Sequence, residues 1–142
     1  MTYGIIFGGN NASPCPADRN APDGCLSRYY RVLVSWDQAR GQFKWSLKRI
    51  DYTDAEHGAG RGVDLIGWRY ITGFEYDSLG WNEWRIEVTD DASDNIKVYM
   101  NGHLLGSATD HTYLDEPYFG VFLSSLRELG AVATKWDWFK VQ

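Results

Sequence analysis

Glu75 and Asp77, two acids with one residue between them, are the nearest thing in this chain to a catalytic pair. Cleaving a glycosidic bond takes two carboxyl groups about 5–5.5 Å apart for retention or about 6.5–9.5 Å for inversion. Residues two apart point the same way only on a strand, so the pair meets that need only if a strand carries it. Ordinary solvated loop acids are the competing reading. A second chemistry is sugar stacking. In the closing stretch Trp136, Trp138 and Lys140 share one parity and Asp137, Phe139 and Val141 the other, while Arg85 and Tyr99 lie opposite the apolar sets of their own stretches. A pyranose lays its apolar face on an aromatic ring, and its hydroxyls are read by Arg, Asp or Asn at the ring's edge. The same Trp residues would equally suit packing under further strands or a partner domain. A third chemistry is calcium binding. Asp18, Asn20 and Asp23 cluster oxygen donors in one loop, but Ala21 and Pro22 put them out of step with a calcium-loop spacing, so an Asx and Pro turn competes.

Other constellations are weaker. His57, His103 and His111 are too dispersed for a metal-ligand spacing, although His103 and His111 could approach across a hairpin. The glycine-rich run from His57 to Gly62 has nothing helical after it and does not read as a phosphate loop. Cys15 and Cys25 bracket a loop rich in Pro, Asn, Asp and Gly. A disulfide there would contribute roughly 2–3 kcal/mol by the loop-closure argument and would place the chain outside the cytosol. Two unrelated thiols are the alternative.

The elements that must position these residues are strands. From Trp81 to Asp110, Trp84, Ile86 and Val88 alternate with polar residues, then Ile96, Val98 and Met100 do the same, and Asn101-Gly102 leads into His103–Ala108. Period-two alternation marks half-buried strands, and Asn-Gly supplies the two positive-φ residues of a tight hairpin. Further strands are expected at 3–8, 28–36, 43–51, 63–66, 118–125 and 131–141. In the second of these Tyr30, Val32, Val34 and Trp36 share one face. Loops are expected at 9–27 and 52–62, and an irregular aromatic loop at 67–80 with a short strand near 68–72. Trp36, Trp45 and Trp84 read as core. No helical stripe appears, so the fold class is all-β, a two-sheet antiparallel sandwich or jelly roll in a single domain over 1–142.

Composition narrows the partners. Aromatic residues make up 15% of the chain, with seven Trp and nine Tyr. The formal charge of −5 argues against nucleic acid or an anionic membrane as the main partner. No apolar run approaches the ~20 residues of a membrane span, and the first residues lack the pattern of a signal peptide.

In order and spacing, GIIF, YYRVLVSW, WNEWRIEV, IKVYMNGHLL, YFGVFLSS and WDWFKV resemble the concanavalin A-like lectin/glucanase superfamily, and most closely its laminin-G-like jelly-roll modules of secreted proteins. The resemblance implies a sandwich that serves lectins, adhesion modules, glucanases or structural domains. In such modules the Phe139 and Val141 parity packs inward, which leaves Trp136 and Trp138 outward. Glucanases of this kind carry an E-x-D-x-x-E pattern; Glu75 and Asp77 match its first two acids, and Gly80 stands where the third belongs. Members usually have two or three strands before the GIIF-like strand, so this sequence is expected to be part of a longer protein or to be completed by strands from a neighbour through an open sheet edge. The expectation is a non-catalytic extracellular or cell-surface module that binds a glycan or another protein surface. A self-assembling surface subunit and a glycoside hydrolase are the alternatives. No cofactor is implied beyond the calcium candidates.

Overall fold

The computed structural model describes residues 2–10, 28–52, 61–78, 80–115 and 118–124, and every regular element among them is a β-strand. In chain order these are β1 (Thr2–Asn10), β2 (Arg28–Asp37), β3 (Gln42–Tyr52), β4 (Arg61–Tyr70), β5 (Trp84–Val88), β6 (Ile96–Met100), β7 (His103–Ala108) and β8 (Tyr118–Ser124). They form two antiparallel sheets, one in the order β4-β3-β2-β1-β8 and one in the order β5-β6-β7. This is the all-β, two-sheet architecture expected from the alternation. Among the described residues no helix is long and apolar enough to cross a membrane.

The core lies where the two alternating patterns meet. Tyr30, Val32 and Val34 of β2, with Trp45 and Leu47 of β3, form one cluster with Ile96, Val98 and Met100 of β6, none more than 1% exposed. Burying a large apolar side chain contributes roughly 1.5–3 kcal/mol, so this inter-sheet contact dominates the fold's stability. The opposite face of the large sheet is also withdrawn from solvent, at Ile6, Tyr29 and Ile50. Burial on both faces accounts for the near-continuous apolar run of β2, where a half-exposed strand would alternate strictly. Trp45 is core as expected. Trp36 and Trp84 are only half-buried and pack at the rim of the cluster.

Asn101 and Gly102 take φ of 50° and 79°, the two left-handed residues that the β6–β7 hairpin requires. β4 departs from expectation. It is one ten-residue strand in place of two short pieces, and its register against β3 shifts three times, twice through an extra residue in β4 and once, between Ile50 and Tyr52, through one in β3. Leu47 faces Ile66 and Lys48 faces Asp64, so Leu65 is an extra residue; Trp45 faces Arg69, so a second extra residue falls within Gly67-Trp68. Each bulge breaks the period of two, which is why the alternation in 61–70 cannot be read from the sequence.

β4 and β7 close one side of the sandwich. A Cβ on Gly106 would stand 3.3 Å from both Ile66 Cδ1 and the Trp45 ring. On the other side, β8 and β5 are sheet edges among the described residues. Val121 lies opposite Ile5 and Val88 opposite Ile96, both on the core-facing parity, yet they are 40% and 42% exposed.

Candidate functional site

Glu75 and Asp77 fall in the irregular segment between β4 and β5, outside any strand. Ile71 anchors that segment by donating its N–H to Phe43 O (2.9 Å). Tyr76 then turns inward, its hydroxyl accepting from Phe43 N (3.1 Å) and its ring centroid 5.4 Å from that of Phe43. Its neighbours Glu75 and Asp77 are thereby left exposed. Asp77 Oδ1 accepts from Gly80 N (2.8 Å), and Asp77 O accepts from Asn82 Nδ2 (2.6 Å). The position that a glucanase would fill with its third acid is therefore the closing residue of a turn, and a Cβ there would collide with the Asp77 carboxylate. This carboxylate is engaged in holding the loop, and the strand geometry that a catalytic pair requires is not present in this segment.

His103 and His111 do not approach each other as a metal pair would. His103 opens β7 and stacks on Phe74 (centroids 4.2 Å, 9° between planes), while His111 lies past the far end of that strand, with Nε2 2.9 Å from Asp91 O. Among the described residues no group of three or more His, Cys, Asp or Glu could hold a metal.

The densest polar cluster ties the two sheets together. Asp110, after β7, accepts from Tyr30 Oη (2.6 Å) and from Arg49 (2.5 Å), and its side chain is 7% exposed. Arg49 also pairs with Asp51 (2.6 Å), whose carboxylate accepts from Tyr113 Oη (3.1 Å). Asn95, fully buried, clamps the Asp110 backbone from both sides, donating to its carbonyl (2.9 Å) and accepting from its N–H (3.0 Å). Burial alone would raise the Asp110 carboxyl, but the hydrogen bonds from Tyr30, Thr112 and Arg49 outweigh it and hold the group below the usual carboxylate range. The Arg49 hydrogen bond does the same for Asp51. Because its polar groups are engaged with one another, this cluster joins the sheets and offers little to a ligand.

Two surfaces present aromatic rings with charged groups. On the outer face of the small sheet, Arg85 lies directly opposite Tyr99, and Tyr99 opposite Leu104. The Arg85 guanidinium sits 4.0 Å over the Tyr99 ring, Tyr99 Oη donates to Glu87 (2.8 Å), and Arg85 also pairs with Glu87. Leu104 is 55% exposed beside them. Arg85 and Tyr99, singled out from parity alone, thus form one outward-facing unit. Arg85 meets Glu87 through one terminal nitrogen, so part of its five-donor fork is left for other acceptors.

The second surface was not foreseen as a site. Trp68 is 46% exposed, with Lys44 Nζ 5.2 Å from its ring centroid. Arg40 Cζ is 4.7 Å over the Tyr70 ring, and Tyr70 Oη donates to Asp37 (2.8 Å). A strand read strictly from Ile66 would send Trp68 inward with it. The bulge at Gly67-Trp68 turns Trp68 to the outer face, together with Lys44 and its partner Tyr70. The only signal in the sequence was a Gly beside an aromatic residue in a strand-like stretch.

Trp136, Trp138, Asp18, Asn20, Asp23, Cys15, Cys25, His57 and the expected closing strand 131–141 lie outside the described residues. Comparison with protein-family models, with curated proteins and with solved structures finds no match.

Proposed function

We propose that this chain is a non-catalytic, lectin-like module that binds carbohydrate or mediates adhesion as part of a secreted or cell-surface protein. The observation that carries the reading is the Arg85–Tyr99–Glu87 unit on the outer face of the small sheet. An aromatic ring, a guanidinium with donors to spare and a carboxylate on a rigid sheet are the groups that read a sugar's apolar face and its hydroxyls. Packing does not require them there, since the core parity of β5 and β6 is filled by Ile86, Val98 and Met100. The loop carrying Glu75 and Asp77 lends no support to the hydrolase alternative. A glycan array probed with the parent protein and with Tyr99→Ala tests the reading. Binding to a defined glycan class that falls at least tenfold in the variant supports it, and a parent protein that binds no glycan sinks it. A Cys15–Cys25 disulfide belongs to the same proposal, and alkylation with and without reductant, followed by intact mass, checks it.

A second reading has its own observation. Val88 and Val121 lie on the core-facing parity at the edges β5 and β8 but are 42% and 40% exposed, and Phe119 beside Val121 is 49% exposed. We infer from this a self-assembling subunit whose open side is covered by strands of a second copy, because strand edges beside exposed apolar side chains favour strand addition. Sedimentation over a hundredfold concentration range decides it: association lost in Val121→Lys supports the reading, and a monomer throughout rejects it.

A further inference from the structure

We infer that the outer face of β4, together with the β2–β3 turn, is a binding site for an anionic saccharide, with Trp68 as stacking platform and Lys44 and Arg40 as the groups that read the acid. This inference rests on the carbohydrate reading above, and it adds a second surface and a ligand class.

The geometry begins with the bulge. Between the pairs Leu47–Ile66 and Trp45–Arg69, β4 advances three residues while β3 advances two, and the extra residue puts Trp68 on the same outer face as Tyr70 and Lys44. Bulges recur where a strand must re-aim a side chain, and here the result is a large ring left 46% exposed although the buried Ile66 is only two residues away. Trp68 and Tyr70, two residues apart on one strand, stand about 7 Å apart along it, a span that one or two pyranose rings cover.

The supporting shell is rigid. Asp37 Oδ2 accepts from Tyr70 Oη (2.8 Å), and its Oδ1 accepts from Ala39 N (3.1 Å) and Arg40 N (3.3 Å), so one carboxylate fixes both the second ring and the turn that carries Arg40. Each ring already has a cation over it, Lys44 at 5.2 Å from Trp68 and Arg40 at 4.7 Å from Tyr70. Asp37 stays ionised beside them, so the patch holds two cations against one carboxylate, and neither cation makes a direct ion pair among the described residues. A positive spot on a chain of net charge −5 selects for an acid. A neutral sugar stacking here would have to displace the cations without replacing their electrostatic partner. A uronic or sulfated sugar would stack its ring on Trp68 and give Lys44 and Arg40 an anion in exchange.

Titration calorimetry with three probes tests this: an oligouronate, a sulfated oligosaccharide and a neutral oligoglucoside of equal length. Anionic probes are expected to bind and the neutral one to bind at least tenfold more weakly; which anionic probe is favoured tells carboxylate from sulfate. Trp68→Ala should weaken anionic binding at least tenfold, with Trp68→Tyr retaining part of it as a check against misfolding. Lys44→Gln with Arg40→Gln should weaken it about fivefold and flatten its salt dependence, and Lys48→Gln, whose charge is already paired with Asp64 (2.8 Å), should leave it unchanged. Glycan binding that survives Trp68→Ala and is lost in Tyr99→Ala overturns this inference and leaves the carbohydrate reading standing. No binding of any glycan, on the array or by calorimetry, overturns both.

Discussion

Gly8 shows how much one residue decides. It takes a φ of 58°, and a Cβ there would lie 2.7 Å from Tyr113 O and 2.8 Å from Tyr30 Cδ2. Left-handed backbone is open to glycine at no steric cost, and here the space is closed as well. Gly8→Ala is expected to lower stability by roughly 2–3 kcal/mol, a size typical of strain at a special backbone position, as read by urea unfolding. Parity made Arg85 and Tyr99 legible as outward residues. The role of Gly8 was not legible, because its constraint comes from Tyr30 and Tyr113, which are far from it in sequence.

Strand alternation is a local signal, and it worked where strands pair regularly. β2, β5 and β6 follow their apolar patterns closely, β1 and β7 do so up to one register shift each, and the hairpin turn falls on Asn101-Gly102. At that turn Gly102→Ala should cost about 1 kcal/mol, since an alanine must hold the 79° φ that glycine holds freely, and the melting temperature should fall by a few degrees. An unchanged melting temperature would mean that the turn relaxes. β4 escaped the same reading because two bulges reverse the parity of its side chains, and with it the Trp68 surface escaped.

At the scale of the molecule, the Tyr30–Arg49–Asp110 cluster links β2 and β3 to the segment after β7, with Arg49 and Asp110 61 residues apart in the chain. A carboxyl whose folded-state pKa lies below its unfolded value contributes stability that is full above about pH 4 and is lost as pH falls through the folded value. Asp51 acts in the same direction. Asp110→Asn, uncharged at every pH, is therefore expected to lower stability at pH 7 by about 2–4 kcal/mol, because it leaves Arg49 without one of its anions. It should also flatten the loss of stability below about pH 4 relative to the parent. A parallel pair of stability–pH curves would show that Asp110 does not carry the acid sensitivity.

The division between sequence and structure follows from the range of each force. Period two, Asn-Gly and the absence of a helical stripe determine, within a few residues of chain, that this protein is built of antiparallel strands and which parity of most of them is apolar. Tertiary structure alone decides that β1 lies between β2 and β8, that Asp110 meets Arg49, and that Trp68 faces outward. Those outcomes depend on which distant strand supplies a partner and on where a ladder must slip for both faces to pack. That choice is made by the whole core, and no local pattern records it.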